Sequence, residues 1–174
     1  MARALRLQKR LGHADGGQQQ LLSSSHVVDA GWSAPASVQA TPGFWQYNPS
    51  IAAAGTGVFY VAWNENAAMV QYRARLARFT LDGGWETAVT VSDGGTAGRP
   101  MVSADLAGNV VVAWPTPYPL IARKVIYQRR TADAWWFPTS VIDRGDASVL
   151  AIDLHMSPGG NAIIAWTEAP VAGF

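Results

Sequence analysis

Acid–base hydrolysis needs two carboxylates converging on one pocket, so the acids are the first residues to weigh. The sequence holds 12 acidic residues, and many of its aspartates stand in Gly-rich turns, where the side chain bonds its own backbone. Glu65 and Glu168 differ. Each follows an Ala-Trp pair by two residues, in Ala62-Trp63-Asn64-Glu65 and Ala165-Trp166-Thr167-Glu168, and both are expected at the same end of a strand, around one opening of a channel. A second set is aromatic: Trp45 and Tyr47 in the run TPGFWQYNP, and Trp136. An aromatic platform of this kind suits a sugar face or a protein partner. His13, His26 and His155 are far apart, without His-x-His or His-x-x-x-His spacing. Cysteine is absent, which excludes thiol catalysis and disulfides. No phosphate-loop Lys follows the Gly-Gly pairs, and no G-x-S-x-G elbow occurs. The expectation is a site without metal or cofactor, with Trp45, Tyr47, Trp136, Glu65 and Glu168 as binding candidates and no catalytic residue assigned.

What positions these residues is a repeat. Three segments align without gaps: AAAGTGVFYVAW (52–63), SADLAGNVVVAW (103–114) and HMSPGGNAIIAW (155–166). Gly57, Gly108 and Gly160 fall in register, as do Trp63, Trp114 and Trp166. An upstream anchor recurs in GWSAPASV, GWETAVTV and AWWFPTSV, aligning Trp32, Trp85 and Trp135, with Val38, Val91 and Val141 six residues later. Six of the eight tryptophans therefore stand at repeat positions and are expected to pack between strands. Trp136 replaces Ser33 and Glu86 in this alignment, which places it at the surface.

Each period of about 50 residues reads as four short antiparallel strands, the pattern of β-propeller blades at kelch-like spacing. The first strand follows the anchor Trp, and the second starts near Pro49, Pro100 and Leu150. The third is the apolar run into Ala-Trp after a Gly-containing turn. The fourth is rich in Arg and Tyr, at 71–81 and 121–131. The units span about 32–82, 85–132 and 135–174, and the last stops after its third strand. Residues 18–32 align without gaps with 71–85, matching at Gln, Asp, Gly and Trp, so 18–31 reads as a closing fourth strand. Propellers take about four to eight blades, and three cannot close a ring. The expectation is an all-β fold of three four-stranded blades, completed to six by a homodimer that exchanges the N-terminal strand. A fragment of a longer repeat array is the alternative.

Composition sets the outer limits. The chain has 174 residues, 49% of them hydrophobic, and a formal net charge of +1. No stretch reaches the roughly 18 apolar residues of a membrane span. Residues 1–12 carry Arg3, Arg6, Lys9 and Arg10 and no acid, whereas the rest is mildly acidic. That body lacks the basic face of a nucleic-acid binder. Residues 1–17 read as a basic, polar, disordered leader, without the apolar run of a secretion signal; they leave the compartment open.

The motif G-N-x-x-x-x-W (Gly108–Trp114, Gly160–Trp166) and the opening W-x-x-P-x-x-V (Trp32–Val38, Trp135–Val141) resemble the Trp-rich repeats of bacterial secreted and surface proteins. Those repeats are similar to sialidase-like β-propellers, and the resemblance covers residues 18–170. Ser103-Ala-Asp105-Leu-Ala-Gly108-Asn109 keeps the Ser, Asp, Gly order of a sialidase Asp-box at a different spacing. The arginine triad and Tyr–Glu pair of sialidases have no counterpart pattern here. The resemblance implies a fold, and the expected function is a non-catalytic module binding carbohydrate or protein. The alternatives are a glycoside-processing enzyme of sialidase-like type and a purely structural repeat of a surface assembly.

Overall fold

The computed structural model describes residues 3–10 (by their backbone), 19–27, 29–39, 41, 43–55, 57–67, 71–92, 97–116, 124–142 and 147–170. Within them the chain is all-β, with strands joined into four antiparallel sheets. The first sheet contains β1 (Arg3–Arg10), β2 (Gln20–Val27), β3 (Gly31–Trp32) and β4 (Ala36–Ser37). The second contains β5 (Trp45–Ala54), β6 (Val58–Ala67), β7 (Gln71–Thr80), β8 (Gly84–Trp85) and β9 (Val89–Thr90). The third contains β10 (Met101–Ala104), β11 (Val110–Pro115), β12 (Val125–Arg130) and β13 (Ser140–Ile142). The fourth is a hairpin of β14 (Ala147–Met156) and β15 (Ala162–Pro170).

Period-2 alternation decides how the sheets stack, because alternate residues of one strand face opposite neighbours. From β6, Val61 and Trp63 pack with Leu21 and Val38 of the first sheet. Tyr60 and Ala62 pack instead with Val102, Val110, Val112 and Trp114 of the third. From β11, Val111 and Ala113 pack with Leu154 and Met156 of the fourth. The sheets are therefore layered face to face in chain order. Central strands such as β11, buried at every position, read as continuous apolar runs because both faces are covered. Trp63 and Trp114 are fully buried, each worth roughly 1.5–3 kcal/mol of apolar transfer or more.

The turn between β10 and β11 is fixed by Asp105. Its carboxylate accepts from the Asn109 backbone N–H (2.8 Å) and from Asn109 Nδ2 (2.6 Å). Ser157 serves the corresponding turn between β14 and β15, its Oγ accepting from Asn161 N at 3.1 Å. Gly108 and Gly160 carry positive φ in these turns (93° and 91°), which is why Gly-Asn recurs there.

Three features depart from the sequence reading. The segment after each anchor Trp pairs backward: β4 with β2, β9 with β7, β13 with β12. Each sheet is thus offset by one strand from the sequence unit, since a short turn favours pairing with the strand just traversed. Residues 3–10, within the stretch expected as a disordered leader, form β1 and pair with all of β2, from Arg3↔Val27 to Arg10↔Gln20. The rest of that leader, save Met1 and Ala2, is 11–17, which lies outside the described residues along with those two.

The third correction concerns the anchors. Trp32 pairs with His26, Trp85 with Phe79, and it is Trp136, not Trp135, that bridges to Arg130. Trp136 packs against the core between the second and third sheets, whereas Trp135 is 68% exposed. The left-handed residue of this turn, Ala134 (φ 72°), falls one place earlier relative to the strand than Gly84 (φ 73°) does. Trp136 therefore takes the inward position, 51 residues after Trp85, the same interval that separates Trp63 from Trp114.

Candidate functional site

The first strands of the second, third and fourth sheets, β5, β10 and β14, lie side by side along one edge of the stack. At one end of this edge is a cleft of about 510 Å³, lined by Tyr47, Asn48, Asn64, Tyr72, Ala97, Gly98, Arg99, Pro115, Thr116, Leu150, Ala151 and Ile152. A β-bulge opens it: the β5–β6 register shifts between Tyr47 and Ser50, and Asn48 adopts φ 54°, a conformation Asn tolerates better than most residues. Asn64 is buried and holds the wall together. Its Nδ2 donates to the carbonyls of Ala97 (3.1 Å) and Gly98 (3.0 Å), and its Oδ1 accepts from Asn48 Nδ2 (3.1 Å).

Tyr47 and Tyr72 meet edge to face, with centroids 5.7 Å apart and planes at 82°. Burial holds the Tyr47 phenol in its neutral form and pushes its pKa up to about 12. The Tyr47 hydroxyl and Asn66 Oδ1 are buried, and Asn66 and Tyr72 are the polar side chains next to that hydroxyl. Beside them Arg99 is exposed on the rim and makes no ion pair among the described residues. The described lining thus offers aromatic faces, amides, hydroxyls and one guanidinium, and no carboxylate stands among the described residues that form it.

Compared with known protein families and with curated proteins, the chain matches none.

The five sequence candidates do not gather at this cleft. Tyr47 alone lines it. Trp45 opens β5 opposite Asn66 and is half-buried, and Trp136 lies between the second and third sheets. Glu65 is buried and turned to the other face of β6, where its Oε2 stands 3.5 Å from Arg75 Nε. Arg75 also donates to Thr90 Oγ1 (2.7 Å) and to the Ala88 carbonyl (3.2 Å). The pair ties β6 through β7 to the loop before β9, a structural cross-link whose attraction is largely offset by desolvation. Glu168 is exposed on β15 and accepts from Trp166 Nε1 at 2.6 Å. Neither glutamate lines the cleft with the other.

Asn48, Asn64, Tyr72 and Arg99 were not singled out from sequence. A signal existed for Asn64: it follows anchor Trp63 where the other repeats carry Pro115 and Thr167. A polar residue that breaks a repeat is a candidate for a local role. A second cleft of about 440 Å³ lies farther along the same edge, lined mainly by apolar side chains together with Ser103, Asp105 and His155. Among the described residues no three His, Asp or Glu side chains come together in a metal-binding arrangement. No helix among them is long and apolar enough to cross a membrane.

Proposed function

We propose that this chain is a non-catalytic binding module and that the cleft at the β5–β10–β14 edge takes carbohydrate. The observation that carries the reading is the composition of the described lining: two tyrosines, two asparagines, Thr116 and Arg99, with no carboxylate among the described residues. Sugars are recognised by aromatic faces for their C–H surfaces and by fixed amides and hydroxyls for their hydroxyl groups. Glycoside hydrolysis requires a pair of carboxylates flanking the bond, and Glu65, turned away and paired with Arg75, does not supply one.

In this reading the four sheets are propeller-type blades, the first and fourth each lacking strands. A second copy completes them, giving a six-bladed ring around a two-fold axis. The stacking of sheets in chain order and their convergence along one edge support it.

A glycan array spanning neutral and acidic oligosaccharides, followed by calorimetry on the hits, tests the binding. The expected outcome is binding that Tyr72→Ala weakens at least about tenfold, about 1.4 kcal/mol. Arg99→Ala should weaken acidic glycans selectively. Absence of binding to every glycan, with a folded protein, overturns the carbohydrate reading and leaves a protein partner as the ligand class.

A further inference from the structure

We infer that the edge of β2 held by β1 is the docking edge for strand β15 of a second copy of this chain, so that β1 and the incoming β15 compete for one place. The inference rests on the two-copy reading above and specifies its contact.

The pairing registers carry it. In the second sheet Ala62 pairs with Leu76, and in the third Ala113 pairs with Tyr127. The alignment of 18–32 with 71–85 sets Ser23 on Leu76, and Ser23 is paired with Leu7 of β1. β1 thus stands where β6 and β11 stand in complete sheets, yet its sequence, RALRLQKR, has no Ala-Trp run. β15 does have that run, with Ala165 aligned to Ala62 and Ala113, and among the described residues no third strand stands beside it. In those residues the fourth sheet holds two strands and the first holds β2 with its outer strands. Joined, with β15 in place of β1, they make one complete sheet.

The exposed faces agree with the registers. Tyr60 and Val111 are 1% and 5% exposed because each faces the following sheet, whereas Ile163, at the same repeat position, is 68% exposed. At the other end of the stack Trp32, whose equivalent Trp85 packs against the preceding sheet, is half exposed. Seating β15 on β2 of another copy places Ile163 against the partner's second sheet and Trp32 against the partner's third. One event covers both patches. A single chain cannot do this, because two complete sheets separate its first sheet from its fourth. Cations on an edge strand deter further pairing, and β1 carries Arg3, Arg6, Lys9 and Arg10. It suits a strand that covers the edge until a partner displaces it.

Because the chain has no cysteine, engineered pairs report the contact cleanly. Directly opposed strand positions lie within disulfide range. In Ser23→Cys/Ala165→Cys, oxidation should link two chains, giving twice 18.6 kDa on a denaturing gel, while each single variant gives at most a minor product. In Leu7→Cys/Ser23→Cys, oxidation should lock β1 in place and weaken dimerisation at least about tenfold relative to the reduced protein, read by light scattering across a dilution series. A dimer by mass in which the Ser23→Cys/Ala165→Cys variant forms no interchain link overturns the contact and leaves the two-copy reading standing. A link together with equal dimerisation of the locked and reduced protein overturns the competition alone. A single-chain mass at every concentration, reduced and oxidised, overturns both.

Discussion

Tyr47 shows how one side chain reports on the cleft. Its hydroxyl is buried beside Asn66 and Tyr72, and burial raises its pKa from the ordinary 10.0 to about 12. The folded chain therefore keeps this proton where the unfolded chain has lost it. The sign follows from linkage: the stability is fully present below about pH 10 and is lost as pH rises through about 12. Tyr47→Phe keeps the ring against Tyr72 and removes the titrating group. Denaturant midpoints should fall less between pH 10 and 12 in the variant than in the wild type, with little difference at pH 7. A parallel fall in both proteins would show that the Tyr47 phenol does not titrate in a buried site.

At the scale of elements, the hairpin joining β12 to Trp136 decides which of two adjacent tryptophans enters the core. Sequence alignment chose Trp135, because Ala134 falls in line with Gly31 and Gly84. The bridge from Arg130 chose Trp136. In that position Trp136 packs on the core of the second and third sheets, and Arg130 lies 5.9 Å from its ring and from that of Tyr60. Trp136→Ala should cost about 3 kcal/mol, the lower end for a packed Trp. Trp135→Ala should stay within about 0.5 kcal/mol, as for exposed positions generally. Urea unfolding of the two variants measures the difference directly, and the reverse ranking would restore the sequence register.

At the scale of the whole molecule, the described residues form a stack with two complete sheets inside and, at each end, a face on which Ile163 or Trp32 stands exposed. Ile163 lies on one of those faces, so Ile163→Arg should leave the stability of the single chain within about 0.5 kcal/mol. The same variant should lower two-chain association at least about tenfold, because an arginine would then be buried without a partner. Light scattering after size exclusion at several concentrations reads the second effect, and thermal unfolding at high dilution reads the first. Unchanged association would show that the outer face of the fourth sheet is not the contact.

By itself the sequence determined the all-β class, the period near 50 residues and the inward role of Trp63 and Trp114. These follow from local signals: apolar alternation, Gly-containing turns and recurrent Trp, each readable over a dozen residues. It also marked Tyr47, although as one of five candidates that do not meet. The tertiary structure alone decided which sheet each short strand joins, because a two-residue strand such as β4 has too few side chains to declare its partner. It decided that Trp136 faces inward, since a hairpin's register depends on its turn geometry and a one-residue shift reverses every side chain. It turned Glu65 away from the cleft and brought Asn48, Asn64, Tyr72 and Arg99 to one edge. Asn48, Asn64 and Tyr72 stand on three adjacent strands of the second sheet and Arg99 in the loop before β10, so their proximity is a consequence of strand register and of how the second and third sheets pack together.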